Sequence, residues 1–107
     1  MNYKIMKLFC MFDLPMNNKK EQRAYRKFRK RLMNEGFFMM QYSIYVKTCN
    51  NRDVVETVKK KVKAISPKDG NVRLLEVTEN QYMNMEFVVG TESIREKIAK
   101  KTGLIVL

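Results

Sequence analysis

The chain has 107 residues, enough for one domain with a single modest core and too few for two independent cores. It carries 22 Lys plus Arg against 11 Asp plus Glu, and the formal net charge of +11 makes a polyanion the leading class of partner. A hydrophobic content of 45% and an aromatic content of 10% exclude a disordered basic tail, because such tails lack the apolar area needed to fold.

Histidine is absent, and Cys10 and Cys49 stand far apart without a CxxC pair. These facts exclude zinc-finger sites and histidine-based acid–base catalysis. No apolar stretch approaches the roughly 18 residues needed to span a bilayer, and the N-terminal segment lacks a signal-type pattern. We therefore expect a cytoplasmic protein with reduced thiols and no membrane partner.

The first predicted element is a central strand from Lys4 to Asp13, with large apolar residues on both faces. Asp13 falls where the strand leaves the sheet, because Pro15 cannot extend a central ladder. A carboxylate there is costly unless it is used or solvated, so this strand end is the leading place for chemistry. The alternative, of about equal weight on pattern alone, is that Asp13 only caps a turn or the next helix.

A helix is predicted next, capped by Asn17 or Asn18 and ended by Gly36. Glu21 follows Asn18 by three residues and completes a pair that resembles a capping box. Helical spacing predicts a buried stripe made of Ala24, Phe28 and Leu32.

This predicted helix is strongly basic: eight cations lie between Lys19 and Arg31, with Glu21 as the single acid among them. A charge run is usually a solvated helix face, but such faces normally interleave acids at i,i+4 positions. Phosphate groups would relieve the repulsion, so we favour a surface that faces nucleic acid over solvated decoration. The residues predicted to contact nucleic acid are Lys19, Lys20, Arg23, Arg26, Lys27 and, on a later strand, Arg73.

The middle of the chain predicts further strands and a second helix. Residues 37–48 form either one kinked strand or two short strands that share a corner, and residues 51–65 form a helix with a basic solvent face. A turn at 66–70 precedes a strand from Val72 to Thr78, and Met85 to Val89 is predicted to close the sheet.

Two tyrosines in the first of these apolar segments, Tyr42 and Tyr45, invite a base-stacking role, since aromatic faces bind unpaired bases without sequence preference. Core packing is the favoured interpretation for both.

The last part of the chain is polar and helical in pattern from Glu92 to Lys101, and it ends in an apolar tetrad. A strand of four residues needs a sheet edge, either on a second copy across a two-fold axis or within the same chain, and we favour the second copy. The predicted dimer-interface residues are Leu104, Ile105, Val106 and Leu107.

The order strand, helix, strand or strand pair, helix, strand, strand predicts an α+β fold of the ferredoxin-like βαββαβ (split βαβ) type, with two helices on one face of an antiparallel sheet. Residues 1–90 form this domain, and residues 91–107 form a C-terminal segment at the dimer interface. Many unrelated functions use the fold, so it does not identify one.

Five fragments, in this order and over about this length, resemble the small CRISPR-associated spacer-acquisition subunit, with a form similar to subtype II-A. They are Phe-Asp-Leu-Pro at 12–15, Gly-Phe at 36–37, Gln-Tyr-Ser-Ile-Tyr at 41–45, Val-Arg-Leu-Leu at 72–75 and Thr-Glu-Asn-Gln-Tyr at 78–82. The resemblance implies a ferredoxin-like homodimer whose C-terminal strand packs on the partner protomer. It also implies that the dimer bridges two dimers of the larger CRISPR integrase subunit, which together hold a short double-stranded DNA and insert it into the repeat array.

Several members of that family are described as metal-dependent nucleases acting on RNA or DNA, and their metal-binding aspartate falls on Asp13. One carboxylate is a poor Mg²⁺ site, because the ion usually takes one or two carboxylates plus water and substrate phosphate. A two-fold axis could supply a second Asp13 as metal ligand and catalytic residue. Some nuclease-active relatives carry an arginine before the Gln-Tyr-Ser segment, where this chain has Met39 and Met40. That departure weighs against nuclease activity more than against DNA binding.

Two hypotheses from different classes follow: a DNA-binding scaffold whose partner carries out catalysis, and a Mg²⁺-dependent phosphodiesterase. A toxin-like ribonuclease or ribosome-associated RNA binder on the same fold is a third, and the order of the shared fragments argues against it.

Overall fold

The computed structural model describes residues 4–94 and 96–98. Its elements are β1 (Met6–Asp13), α1 (Lys19–Asn34), β2 (Phe38–Gln41), β3 (Ile44–Cys49), α2 (Arg52–Ile65), β4 (Asn71–Thr78) and α3 (Glu79–Met83). The order from β1 to β4 is βαββαβ, so the predicted α+β fold is confirmed. No helix within the described residues is long and apolar enough to cross a membrane.

The four strands form one sheet in the order β2-β3-β1-β4, and every neighbouring pair is antiparallel. β1 lies between β3 and β4, and its residues Leu8 and Cys10 are fully buried. The open question about residues 37–48 is settled in favour of two short strands, β2 and β3, which meet at a turn formed by Tyr42 and Ser43.

Both long helices cover one face of the sheet. Phe12 of β1 meets Phe28 of α1 edge to face, with 5.2 Å between ring centroids, and valines of α2 complete the same core. The predicted stripe of α1 is correct for Phe28 and Leu32 but wrong for Ala24, which is exposed. Tyr25 takes its place against the core, because the position three residues before Phe28 lies on the same side of the helix.

Asparagine side chains cap both long helices, and the cap predicted at Asn17 or Asn18 is confirmed for Asn18. The Asn18 side chain accepts a hydrogen bond from the Glu21 amide at 2.8 Å, and the Glu21 carboxylate accepts one from the Asn17 amide at 2.8 Å. Asn51 caps α2 in the same way. Cys10 and Cys49 are buried free thiols, and burial raises the pKa of Cys10 to about 12.

The other face of the sheet is only partly covered. Phe9, Phe38 and Val46 form a small second core on this face. Beside them the Lys7 ammonium donates to the Thr48 hydroxyl at 2.6 Å and pairs with a carboxylate of α3. We call this side the open face; on it the edge strand β4 leaves Leu75 49% exposed.

The prediction that Met85 to Val89 closes the sheet is wrong, because these residues form no strand. A capping box between Thr78 and Gln81 starts α3 directly after β4, and Tyr82 of this helix packs on the small core of the open face. Within the predicted helical segment Glu92 to Lys101, residues 94 and 96–98 are helical. The predicted strand Leu104 to Leu107 lies outside the described residues.

Gly70 fixes the strand end at Asp13. Its φ is +97°, and a Cβ at this position would lie 2.7 Å from the Asp13 carbonyl oxygen and 2.9 Å from a Leu14 methyl. Gly90 has a similar φ of +91° with nothing within 4 Å of the same added atom, which makes it a matched control.

We expect Gly70→Ala to lower the free energy of unfolding by roughly 1–3 kcal/mol, because it adds a backbone clash to the strain of a left-handed residue. Gly90→Ala carries only the strain, so its loss should be the smaller of the two. Urea denaturation of the two variants measures the difference. Equal losses would show that the turn moves aside without cost and that Gly70 does not hold Asp13.

Candidate nucleic-acid interface and strand-end carboxylate

Asp13 is the last residue of β1, and its side chain is exposed. In the β1–β4 register it stands opposite Asn71, while Met11 stands opposite Arg73. Because alternate residues of a strand share a face, Asp13 lies on the same side of the sheet as Met11 and Arg73. This side is the open face, away from α1 and α2.

Asp13 belongs to no ready-made cluster of metal ligands in the part of the chain that the structure describes. Residues 4–94 and 96–98 contain no group of three or more Asp, Glu, Cys or His side chains that could hold a metal ion, and none of their ion pairs involves Asp13. A single exposed carboxylate fits Mg²⁺ only as one ligand among water and phosphate oxygens. Among the described residues, Asp13 can therefore serve as one ligand of a metal site, and the other ligands have to come from water, from phosphate or from elsewhere.

The turn between β2 and β3 lies beside this strand end. The Phe12 amide donates to the Ser43 carbonyl at 3.1 Å, and Ser43 adopts a φ of +63°, a left-handed conformation unusual for a residue other than glycine. Tyr42 is 75% exposed. Burial, and after it the interaction with the Tyr42 hydroxyl, raises the pKa of Tyr25 of α1, whereas the Ser43 hydroxyl acts in the opposite direction.

The two tyrosines of this segment differ in environment. Tyr45 is 1% exposed, and its hydroxyl accepts a hydrogen bond from the Arg29 Nε, so the core interpretation is confirmed for Tyr45. The same interpretation is wrong for Tyr42, which lies in a turn. The polar residues Gln41 and Ser43, which interrupt the apolar run, were the sequence signal for that turn.

The N-terminal half of α1 carries an unpaired basic surface. None of the ion pairs within the described part of the chain involves a basic residue of α1. On α2, in contrast, Lys59 pairs with Glu76 at 2.9 Å and Lys61 with Glu35 at 3.5 Å. What we call the α1 basic surface consists of five exposed residues: Lys19, Lys20, Arg23, Arg26 and Lys27.

Arg73, the sixth residue predicted to contact nucleic acid, is exposed on the open face. The structure therefore brings Arg73 to the side of the sheet that carries Asp13 and places the α1 basic surface on the other side. A β-strand pattern alone does not reveal which face a polar residue occupies, since that depends on register.

Residues 6–85 match the family model described as CRISPR associated protein Cas2. The match covers the whole βαββαβ unit and α3.

Curated relatives agree with this match. The chain is 45% identical over 87 residues to a protein of Lacticaseibacillus rhamnosus, an alignment that covers 81% of this chain and 86% of the relative. It is 46% identical over 85 residues to one of Ligilactobacillus salivarius, covering 79% and 84%. A Campylobacter jejuni protein is 40% identical over 101 residues, covering 94% and 71%. All three relatives are named CRISPR-associated endoribonuclease Cas2. By family match and by these identities, the chain belongs to the CRISPR associated protein Cas2 family.

Proposed function

We propose that this protein is a homodimeric subunit of the CRISPR adaptation complex that binds double-stranded DNA. In this role it bridges dimers of the larger integrase subunit and holds the DNA for insertion into the repeat array. The observation that carries the proposal is the α1 basic surface, whose five cations have no acidic partner in the described part of the chain.

Charge density supports a duplex as the ligand of this surface. From Lys19 to Lys27 the helix axis advances about 12 Å, at about 1.5 Å per residue. Double-stranded DNA carries one phosphate charge per roughly 1.7 Å of its axis, so the two charge densities are of the same order. Contacts to phosphates position a duplex without reading its sequence, which suits a subunit that must accept any new spacer.

The homodimer is supported by the open face and by the segment after α3. Val88 and Val89 are 92% and 90% exposed, which is costly for consecutive apolar residues in water. β4 is an edge strand and offers unpaired backbone groups to an added strand. We propose that Met85 to Val89 of one copy pairs with β4 of the other. The strand predicted from the sequence would then form between chains, with Leu104 to Leu107 adding to the same interface.

A second candidate function is cleavage of RNA or DNA with Mg²⁺. It is favoured by the exposure of Asp13 on the open face and by the endoribonuclease name of the relatives. If two copies face each other across their open faces, two Asp13 carboxylates could share one ion, which would polarise a phosphate and activate water. Met39 and Met40 pack against the two cores, so the positions where some relatives carry arginine supply no cation here.

Reversing charge on the α1 basic surface tests the first proposal. We expect Lys19→Glu with Arg23→Glu to weaken binding of a short duplex by roughly tenfold or more and to flatten its salt dependence, because about two fewer counterions are released. Binding is measured by fluorescence anisotropy across a series of salt concentrations. The control is Lys60→Glu with Lys63→Glu, the same charge change at exposed positions of α2. An unchanged salt slope in the α1 variant, or an equal change in both, would remove α1 from the interface.

The variant Asp13→Ala tests whether binding of DNA and cleavage of nucleic acid depend on the same residue. We expect the variant to remain a dimer, with unfolding free energy changed by no more than about 0.5 kcal/mol, because an exposed strand-end carboxylate is not core. Mixed with the larger integrase subunit, it should support integration of a short duplex as well as the unaltered protein does. Any Mg²⁺-dependent cleavage should be lost from Asp13→Ala but kept by the control Asp69→Ala, an exposed aspartate in the nearby turn.

The opposite result would reassign Asp13. If Asp13→Ala is a folded dimer and integration fails, Asp13 and its metal take part in adaptation itself. A monomeric or unfolded variant would instead show that the role of Asp13 is structural.

A further inference from the structure

Tyr42 is an aromatic residue in a conspicuous place. It is 75% exposed at the turn between β2 and β3. The three residues that follow it, Ser43 to Tyr45, are partly or fully buried. A solvent-exposed tyrosine ring does not gain the favourable free energy of apolar burial, and a ligand that covers the ring would supply it.

The turn that carries the Tyr42 ring is anchored to α1 and to β1. Tyr25 of α1 packs on Phe12 with 5.9 Å between ring centroids, and its hydroxyl interacts with the side chains of Tyr42 and Ser43. The left-handed Ser43 is tied to β1 through the Phe12 amide. A ring held in this way loses little conformational freedom when a ligand stacks on it, and unusual backbone conformations of this kind cluster at binding sites.

The surroundings of Tyr42 indicate the chemistry of that ligand. Tyr25, which contacts the turn, belongs to α1, and exposed cations of α1 lie on either side of it in the helix. On the sheet side, Asp13 follows directly after Phe12. A flat aromatic face between a line of cations and a strand-end carboxylate is suited to a nucleobase whose phosphates meet the cations.

A base inside a duplex is already stacked on both faces and cannot cover the ring, whereas an unpaired base can. We propose that Tyr42 is a stacking platform for an unpaired base of single-stranded RNA or DNA, which the turn holds at the Asp13 end of the sheet. The inference rests on the proposed binding of nucleic acid and adds a second substrate class to it, distinct from the duplex held by α1.

The test uses the full chain and two probes: a blunt DNA duplex, and single-stranded RNA and DNA oligonucleotides that contain 2-aminopurine, whose fluorescence is quenched by stacking. Tyr42→Leu removes the ring, and Tyr42→Phe keeps the ring but removes its hydroxyl. Tyr42→Phe is the matched control, because it leaves the aromatic face in place. Thermal melting checks that each variant is folded.

We expect Tyr42→Leu to weaken single-strand binding by roughly tenfold and to abolish the quenching, with duplex affinity changed by less than about twofold. Tyr42→Phe should keep both the single-strand affinity and the quenching. RNA and DNA are separate arms of the test, and preference for either is compatible with the proposal.

Other outcomes would overturn it in distinguishable ways. If Tyr42→Leu binds single strands as the unaltered protein does, the platform is wrong while duplex binding by α1 stands. If Tyr42→Leu binds all oligonucleotides normally but no longer binds the larger integrase subunit, the ring is a protein contact instead. If the unaltered protein binds neither duplex nor single strand, the proposed function fails together with this inference.

Discussion

The packing of β1 determines where every candidate functional group lies. This strand is hydrogen-bonded on both edges and covered on both faces for most of its length, so it has little freedom to slip or bend. Its residue Phe12 contacts Phe28, Tyr25 and Tyr45 through their rings. Asp13 is the next residue, and the turn at Ser43 is bonded to the Phe12 amide. A rigid strand end therefore positions an exposed carboxylate and an exposed aromatic turn side by side.

The two long helices differ in how their basic residues are paired. On α2, Lys59 and Lys61 are partly neutralised by acids from β4 and from the end of α1. The α1 basic surface has no such partners in the described part of the chain, and its mutual repulsion costs stability in the free protein. That cost is removed when phosphates replace the missing acids. Much of the excess positive charge evident from composition is thus concentrated where one ligand can meet it.

Periodicity predicted the elements that lie within one chain. The patterns of apolar residues that predicted β1, α1, α2 and β4 were clear, because each of these elements packs one face against the core of its own domain. Ala24 was wrongly predicted to be buried, because alanine is compatible with both a buried and an exposed helix position. The larger apolar ring of the neighbouring Tyr25 was the better indicator of the buried side. Apolar content alone predicted a strand at Met85 to Val89, but apolar content does not show whether a segment finds a sheet edge within its own chain.

The candidate site was predictable in part for the same reason. Asp13 followed from an apolar strand that ends before Pro15, a local pattern. That Arg73 shares a face with Asp13 and that Gly70 lies against its backbone depend on the register between β1 and β4, which two strands far apart in sequence do not reveal. Tyr42 is exposed because residues 37–48 form two strands joined by a turn, and the sequence left open whether this segment is one strand or two.

The sheet separates the two activities considered for this protein. Phosphates that meet the α1 basic surface lie on the helix layer, whereas a metal held at Asp13 would lie on the open face. One duplex lying along α1 therefore cannot present its scissile phosphate to Asp13 without leaving the cations that bind it. In the proposed dimer, joined through the open faces, the α1 basic surfaces would point outward and the Asp13 carboxylates would lie at the centre, which would keep a bound duplex away from a metal at Asp13. A nucleic acid that reaches Asp13 has to arrive by another route, and the turn that carries Tyr42 lies at the end of the sheet, where the helix layer and the open face meet.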